Sequence, residues 1–174
     1  MKKDNNWIIL IFILTFILSI VFSTVSNLIT ANVDNVIILI ILLIIVIVIG
    51  ILFDSIGTAS LTAKEATFHS MSSSKIKGAK ESLTLIKNSS RISSICNDVV
   101  GDVCGIISGG LGAVIAIGLS GKMDINNAII SILLSAFISA FTVGGKAFMK
   151  KIAVKKADNI IFMVGKIKHM LHIK

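Results

Sequence analysis

Three aspartates stand where an apolar sequence has least use for them. Asp54 follows the run VIILIILLIIVIVIGILF, and Asp98 and Asp102 open another apolar block at SICNDVVGDVCG. A carboxylate inside a lipid-embedded helix costs roughly 2.5 to 3.5 kcal/mol on insertion scales, so each invites a functional reading. Oxygen-bearing neighbours accompany them: Ser55, Thr58 and Ser60 beside Asp54, and Asn97 beside Asp98. Hard divalent cations prefer oxygen ligands of this kind, and carboxylates supply the charge that lets such an ion shed part of its water. On an unbroken α-helix Asp98 and Asp102, four apart, share a face. The alternative is that the aspartates sit near headgroups, pair with nearby lysines and bind nothing.

The elements that must position these residues follow from composition. Of 174 residues 55% are hydrophobic, the mean hydropathy is +0.97, and the apolar residues fall in long blocks without a single proline. That pattern predicts an all-α integral membrane protein. Four stretches are long enough to cross a hydrocarbon core, residues 7–29, 36–60, 95–119 and 125–149. The first also admits reading as a signal peptide, with Met1-Lys2-Lys3 as its basic start and Ile29-Thr30-Ala31 as the cleavage site. The domain reading is a membrane helix over 1–33, a membrane core over 34–151 and a basic tail over 152–174.

Basic residues favour the cytoplasmic side. Four spans with the N-terminus inside put sixteen of the seventeen Lys and Arg there, leaving Lys122 outside. The expectation is a multi-pass protein of the plasma (inner) membrane with both termini cytoplasmic. The formal charge of +8 is then explained by topology and anionic headgroups, with the lipid bilayer as partner and no need for nucleic acid. Cys96 and Cys104, eight apart in one predicted helix, read as free thiols.

Two further segments read as interfacial helices. Ile76, Ala79, Leu83 and Ile86 have helical spacing among lysines over residues 74–87, and Ile160, Ile161, Val164, Ile167 and Leu171 form an apolar face in the tail. Within the third span Gly101, Gly105 and Gly109 recur every four residues, a pattern that admits a closely packed helix. Ser131, Ser135 and Ser139 repeat likewise in the fourth, satisfying themselves locally or lining a polar path. Gly144-Gly145 weakens that span near its end, where freed carbonyls are possible ligands. His69, His169 and His172 lack metal-ligand spacing, and no nucleotide loop, nucleophile-and-base pair or zinc motif occurs, so an enzyme is not expected.

The order of these features resembles the transmembrane domain of the CNNM/CorC (CorB) magnesium transporters. Phe53-Asp54-Ser55-Ile56-Gly57-Thr58-Ala59-Ser60-Leu61 is similar to the family's Phe-Phe-Ser-x-x-Glu-Thr-Ala-Leu type motif. Arg91-Ile92-Ser93-Ser94-Ile95-Cys96-Asn97 stands where the family has a Leu-Leu-Ser-Thr type run and a Gly-Asn pair. Gly145-Lys146-Ala147-Phe148-Met149-Lys150, followed by Ile152-Ala153-Val154, is similar to its Gly-Glu-x-x-Pro-Lys type ending. The resemblance implies a homodimeric transporter of Mg2+, with Co2+ as another cargo, held by hydroxyl, asparagine, glycine-carbonyl and carboxylate groups.

Residue by residue, Ser55, Asn97 and Gly145 match. The family's glutamates correspond to Thr58 and Lys146, its second-motif glycine to Cys96 and its proline to Met149. Two readings follow. Asp54, Asp98 and Asp102 supply the displaced acidic charge and bind a divalent cation, or Lys146 takes the cation's place as a charge partner in a non-transporting subunit or regulatory relative. Family members continue into nucleotide-binding CBS modules, so regulation is expected to need a separate protein.

Overall fold

The computed structural model describes residues 2–32, 35–123 and 126–171, and no strand occurs among them. In chain order the helices are α1 (Lys2–Asn32), α2 (Val36–Thr62), α3 (Glu65–Ser73), α4 (Ala79–Lys87), α5 (Ser89–Ser93), a π-helical segment (Ser94–Val100), α6 (Gly101–Met123), α7 (Asn127–Lys155) and α8 (Ala157–Met170). Four stretches are long and apolar enough to cross a membrane: Trp7–Ala31, Val36–Thr62, Ser89–Gly121 and Asn127–Lys155, the second with a mean hydropathy of 3.9. Each overlaps one of the four predicted spans. The chain divides into two compact units, residues 1–51 with 99–145 and residues 52–98 with 146–174.

In the first unit the core is a pair of interlocking ridges. Val36, Leu39 and Leu43 of α2 meet Val103, Ile107, Leu111 and Ile115 of α6, the latter at four-residue spacing, and Leu134 and Ile138 of α7 pack against them. Helix α1 lies against α6. Lipid is as apolar as these side chains, so within a bilayer such contacts rest on close van der Waals fit.

Within the chain the glycine row of α6 divides. Gly101 is buried, but a Cβ added at Gly105 or Gly109 would meet nothing within 4 Å. The apolar ridge of α6 takes the close contact with α2, the Gly101 carbonyl lies 3.9 Å from a Cβ placed at Gly50, and Gly105 and Gly109 fall outside the contact. Close approach occurs instead at Gly50, where an added Cβ would lie 3.0 Å from Cys104 Cβ, and at Gly118, 3.1 Å from Val36 Cγ2.

The second unit is centred on Ala59, Phe68, Leu85, Ala153, Ala157 and Ile161. Asp158, in the first turn of α8, accepts the Lys64 backbone N–H at 2.8 Å and the Thr67 hydroxyl at 3.1 Å. Lys64 caps α3 without a side-chain bond of its own, so a distant carboxylate satisfies that helix start.

The predicted helix over residues 74–87 is shorter than expected. Lys75, with φ of 55°, and Gly78, with φ of 88°, bend the chain in a left-handed turn before α4 begins. Of the expected apolar face Ala79 is buried and Leu83 and Ile86 pack against the core, with Ser82 and Leu85 buried beside them, while Ile76 is exposed in the turn. The reason is α8, whose ridge of Ala157, Ile161 and Gly165 is buried at four-residue spacing. Small residues on both helices permit the contact, and the Ser82 hydroxyl donates to the Gly78 carbonyl at 2.8 Å and the Ile161 carbonyl at 3.2 Å.

At the far end of the same contact His169 Nδ1 lies 2.8 Å from Glu81 Oε1. That hydrogen bond is the chief cause holding the Glu81 carboxyl below its ordinary value of 4.5. The group stays ionised to lower pH folded than unfolded, so its contribution is present above about pH 4.5 and lost as pH falls through the depressed value. Hydrogen exchange of α8 amides, corrected for intrinsic rate, is therefore expected to accelerate below that pH. Glu81→Gln should flatten this dependence, and an unchanged profile would rule the pair out as its source.

A methyl group tests the helix contact directly. A Cβ at Gly165 would overlap the Ser82 hydroxyl and lie 2.6 Å from the Gly78 carbonyl oxygen, whereas one at Gly144 meets nothing within 4 Å. Gly165→Ala is expected to cost about 1–3 kcal/mol through overpacking. Gly144→Ala should be neutral or mildly stabilising through helix propensity. Thermal unfolding of the two variants in one detergent checks the order.

Candidate functional site

The last third of α2 concentrates polar groups in a buried position. Asp54 is 8% exposed and Thr58 is 6% exposed, and Ser55 and Ser60 are buried with them. Ser60 is internally satisfied, its hydroxyl donating to the Gly57 carbonyl at 2.7 Å. Thr58 is not: its Oγ1 is buried without a hydrogen-bond partner.

Asp54, Gly57 and Thr58 lie three and four apart on one helical face, and that face meets Asn97. A Cβ at Gly57 would overlap Asn97 Oδ1 and lie 2.8 Å from its Cγ, so only glycine admits the carboxamide here. Asn97 Nδ2 donates to Ser93 Oγ at 3.2 Å, which fixes which end of the amide faces α2. Its Oδ1 is buried with no donor.

Two orphaned oxygen atoms thus belong to one small neighbourhood beside a buried carboxylate. Each unsatisfied buried polar atom costs about 1–3 kcal/mol. What such a cluster can do chemically is accept: from water, or from a hard cation whose preferred ligands are carboxylate, hydroxyl and amide oxygens.

The structure brings together only part of the predicted set. Asp54, Ser55 and Asn97 are all in the second unit, with Thr58 and Ser93 added. Asp98 and Asp102 are exposed, and among the described residues no three His, Cys, Asp or Glu side chains converge on a common point. The three aspartates therefore do not form one acidic cluster. Asp98 lies in the π-helical segment Ser94–Val100 and Asp102 in the first turn of α6, both exposed, whereas Asp54 is buried in α2.

Gly145 is half-buried against Ile51 and borders an apolar cavity of 410 Å³ lined by Leu43, Val48, Phe137 and Phe141 among others. Helix α7 runs unbroken from Asn127 to Lys155, so Gly144-Gly145 does not free backbone carbonyls as ligands. Two glycines cost about 2 kcal/mol of helix propensity, too little to open a 29-residue helix whose backbone groups have no better partners. Lys146 is half-buried and forms no salt bridge with a described carboxylate.

Two grooves in the first unit, each bordered by hydroxyl side chains, were less visible in sequence. Gly105 and Gly109 of α6 face Ser135, Ser139 and Thr142 of α7 across a groove of 230 Å³, and Thr142 Oγ1 is buried without a partner. The serine repeat thus lines a groove, while Ser131 bonds Asn127. Ser23, Ser26, Asn27 and Thr30 of α1 border a second groove with Gly110. Their spacing of three and four was the signal for that stripe. Cys96 and Cys104 are buried free thiols. His69 pairs with Glu65, and His172 lies outside the described residues.

Compared with family models, curated proteins and solved structures, the chain matches none.

The site's energetics can be tested without knowing its ligand. Thr58→Val keeps the shape and removes the orphaned hydroxyl, so in chelator it should leave thermal stability unchanged or raise it. Gly57→Ala should lower it by about 1–3 kcal/mol by expelling Asn97. A destabilised Thr58→Val protein in chelator would mean that the hydroxyl already has a partner.

Proposed function

We propose that this chain is a multi-pass membrane protein that passes a divalent cation, Mg2+ before Co2+, through a CNNM/CorC-like membrane domain of the plasma membrane. Asp54, Ser55, Thr58 and Asn97 are its oxygen ligands, and Asp98 and Asp102 attract the ion from the more exposed positions. The observation that carries this reading is the pair of orphaned oxygens, Thr58 Oγ1 and Asn97 Oδ1, on the helix face that also bears Asp54. A cation there relieves three costs together: two unsatisfied acceptors and one buried negative charge. Ligands of mixed charge, with one carboxylate among neutral oxygens, suit an ion that must leave again.

A second reading is favoured by one specific observation, the absence of a three-carboxylate group among the described residues. On that reading the chain is a non-transporting membrane subunit or regulatory relative, and Lys146 substitutes for the cation as positive charge. The two differ in flux. Purified protein in liposomes should admit Mg2+, measured with an entrapped indicator, and Asn97→Ala or Asp54→Asn should reduce the rate at least tenfold. Wild-type vesicles no more permeable than empty ones would exclude transport by the chain alone, and co-purification of another membrane protein would then support the subunit reading.

A further inference from the structure

Helix α8 buries one side and leaves the other without cover. Ala157, Ile161 and Gly165 dock on α4, yet Met163, Ile167, Met170 and Leu171 are between 51% and 77% exposed. These four lie at spacings of three, four and one, which on a helix is a single stripe. It keeps Ile167 and Leu171 of the face that hydropathy suggested, while Ile161 belongs to the docked ridge and Ile160 and Val164 pack against the core.

Three facts identify what covers the stripe. First, α8 starts two residues after α7 ends at Lys155, with only Lys156 between, and the last ten residues of α7 already carry Lys146, Lys150, Lys151 and Lys155. Lysines at that density mark a chain that has left hydrocarbon for the headgroup region, and α8 follows them directly. Second, the residues around the junction and flanking the stripe are cationic: Lys150, Lys151, Lys155, Lys156, Lys166 and Lys168. Lys166 holds its ammonium 4.4 Å from the Phe162 ring centre, leaving an aliphatic stem that can lie along apolar surface while the charge stays at the headgroup level. Third, the second unit as a whole carries fourteen of the seventeen Lys and Arg against five of the nine Asp and Glu. An excess of positive charge beside an apolar stripe complements an anionic lipid surface, and fits poorly against a second copy of the same basic unit.

We infer that α8 lies in the bilayer interface, with Met163, Ile167, Met170 and Leu171 set among headgroups and upper acyl chains while its opposite ridge holds α4. The helix thereby couples the α3–α4 segment to the lipid surface. Methionine suits the role, since its flexible thioether adapts to a disordered medium. The inference rests on the reading of α7 as a span, and not on transport.

Spin labels test it. On the full chain with Cys96→Ala and Cys104→Ala, single cysteines are placed at 163, 166, 167 and 170, with one at Phe137 of α7 as reference, and each is reconstituted in bilayers containing anionic lipid. Labels at 163, 167 and 170 are expected to collide with oxygen and be shielded from a water-soluble nickel chelate, with the label at 166 showing the reverse. An oxygen-accessible label at 137 with chelate-accessible labels at 163, 167 and 170 overturns the inference while leaving the span intact. A chelate-accessible label at 137 overturns the span reading itself. Shielding at the stripe accompanied by dipolar broadening between labels assigns the stripe to a second copy, and the inference fails. As a second measurement, Met163→Glu with Ile167→Glu should speed proteolysis after Lys166 and Lys168 in bilayers several-fold and leave it unchanged in detergent. Equal effects in both media would show that the substitutions act on the fold.

Discussion

Because Gly57 has no side chain, the carboxamide of Asn97 can rest on the backbone of α2, and the polar content of the second unit follows from that approach. Ser93, four residues before Asn97, takes the amide's donor end, so the acceptor end is directed at the α2 face that holds Asp54 and Thr58. A methyl group at position 57 would push the two segments apart, and the burial of Asp54, Ser55 and Thr58 would no longer be possible in the same form. A helix as apolar as α2 tolerates this cluster only because its backbone is satisfied within the helix, leaving side chains as the sole polar groups to be matched.

The spans were legible because their signal is long. The run of Ile, Leu and Val over residues 36–49 of α2 is a signal that no soluble helix needs, and the bounds of each long apolar helix were recovered to within a few residues at most ends. The π-helical segment was not legible, since Ser94-Ile95-Cys96-Asn97-Asp98 has no residue that enforces an i to i+5 ladder. The four-residue rule grouped Asp98 with Asp102, which are both exposed, while the acceptors left without donors, Thr58 Oγ1 and Asn97 Oδ1, lie next to Gly57. Helices α3 and α4 were half-legible for a similar reason. Their lysine-rich sequence has helical periodicity, but which face is buried depends on Gly165, eighty residues away.

The glycine and serine repeats illustrate the same limit. Spacing of four places Gly105 with Gly109, and Ser135 with Ser139, but spacing cannot say whether a row of small residues receives a neighbouring helix or leaves a groove. Here the bulky ridge Val103–Ile107–Leu111–Ile115 engages α2, and the small residues of α6 and α7 are left to face each other across open volume. Large side chains decide the contact, and small ones define what remains.

What remains includes unmatched polar atoms. Thr142 Oγ1 lies unsatisfied beside the α6–α7 groove, as Thr58 Oγ1 and Asn97 Oδ1 do in the second unit. A fold selected only for stability gains from replacing each of these by an apolar group of the same shape, since an unsatisfied buried oxygen costs about 1–3 kcal/mol and valine in place of threonine costs nothing in volume. Three such oxygens, together with a buried Asp54, amount to a sizeable fraction of the 5–15 kcal/mol that holds an ordinary domain folded. Water can relieve the neutral oxygens but leaves the carboxylate's charge in place. A cation relieves both, and the single charge of Asp54 limits how tightly a doubly charged ion is held. On the transport reading proposed above, that single charge is what lets the ion leave again, as conduction requires.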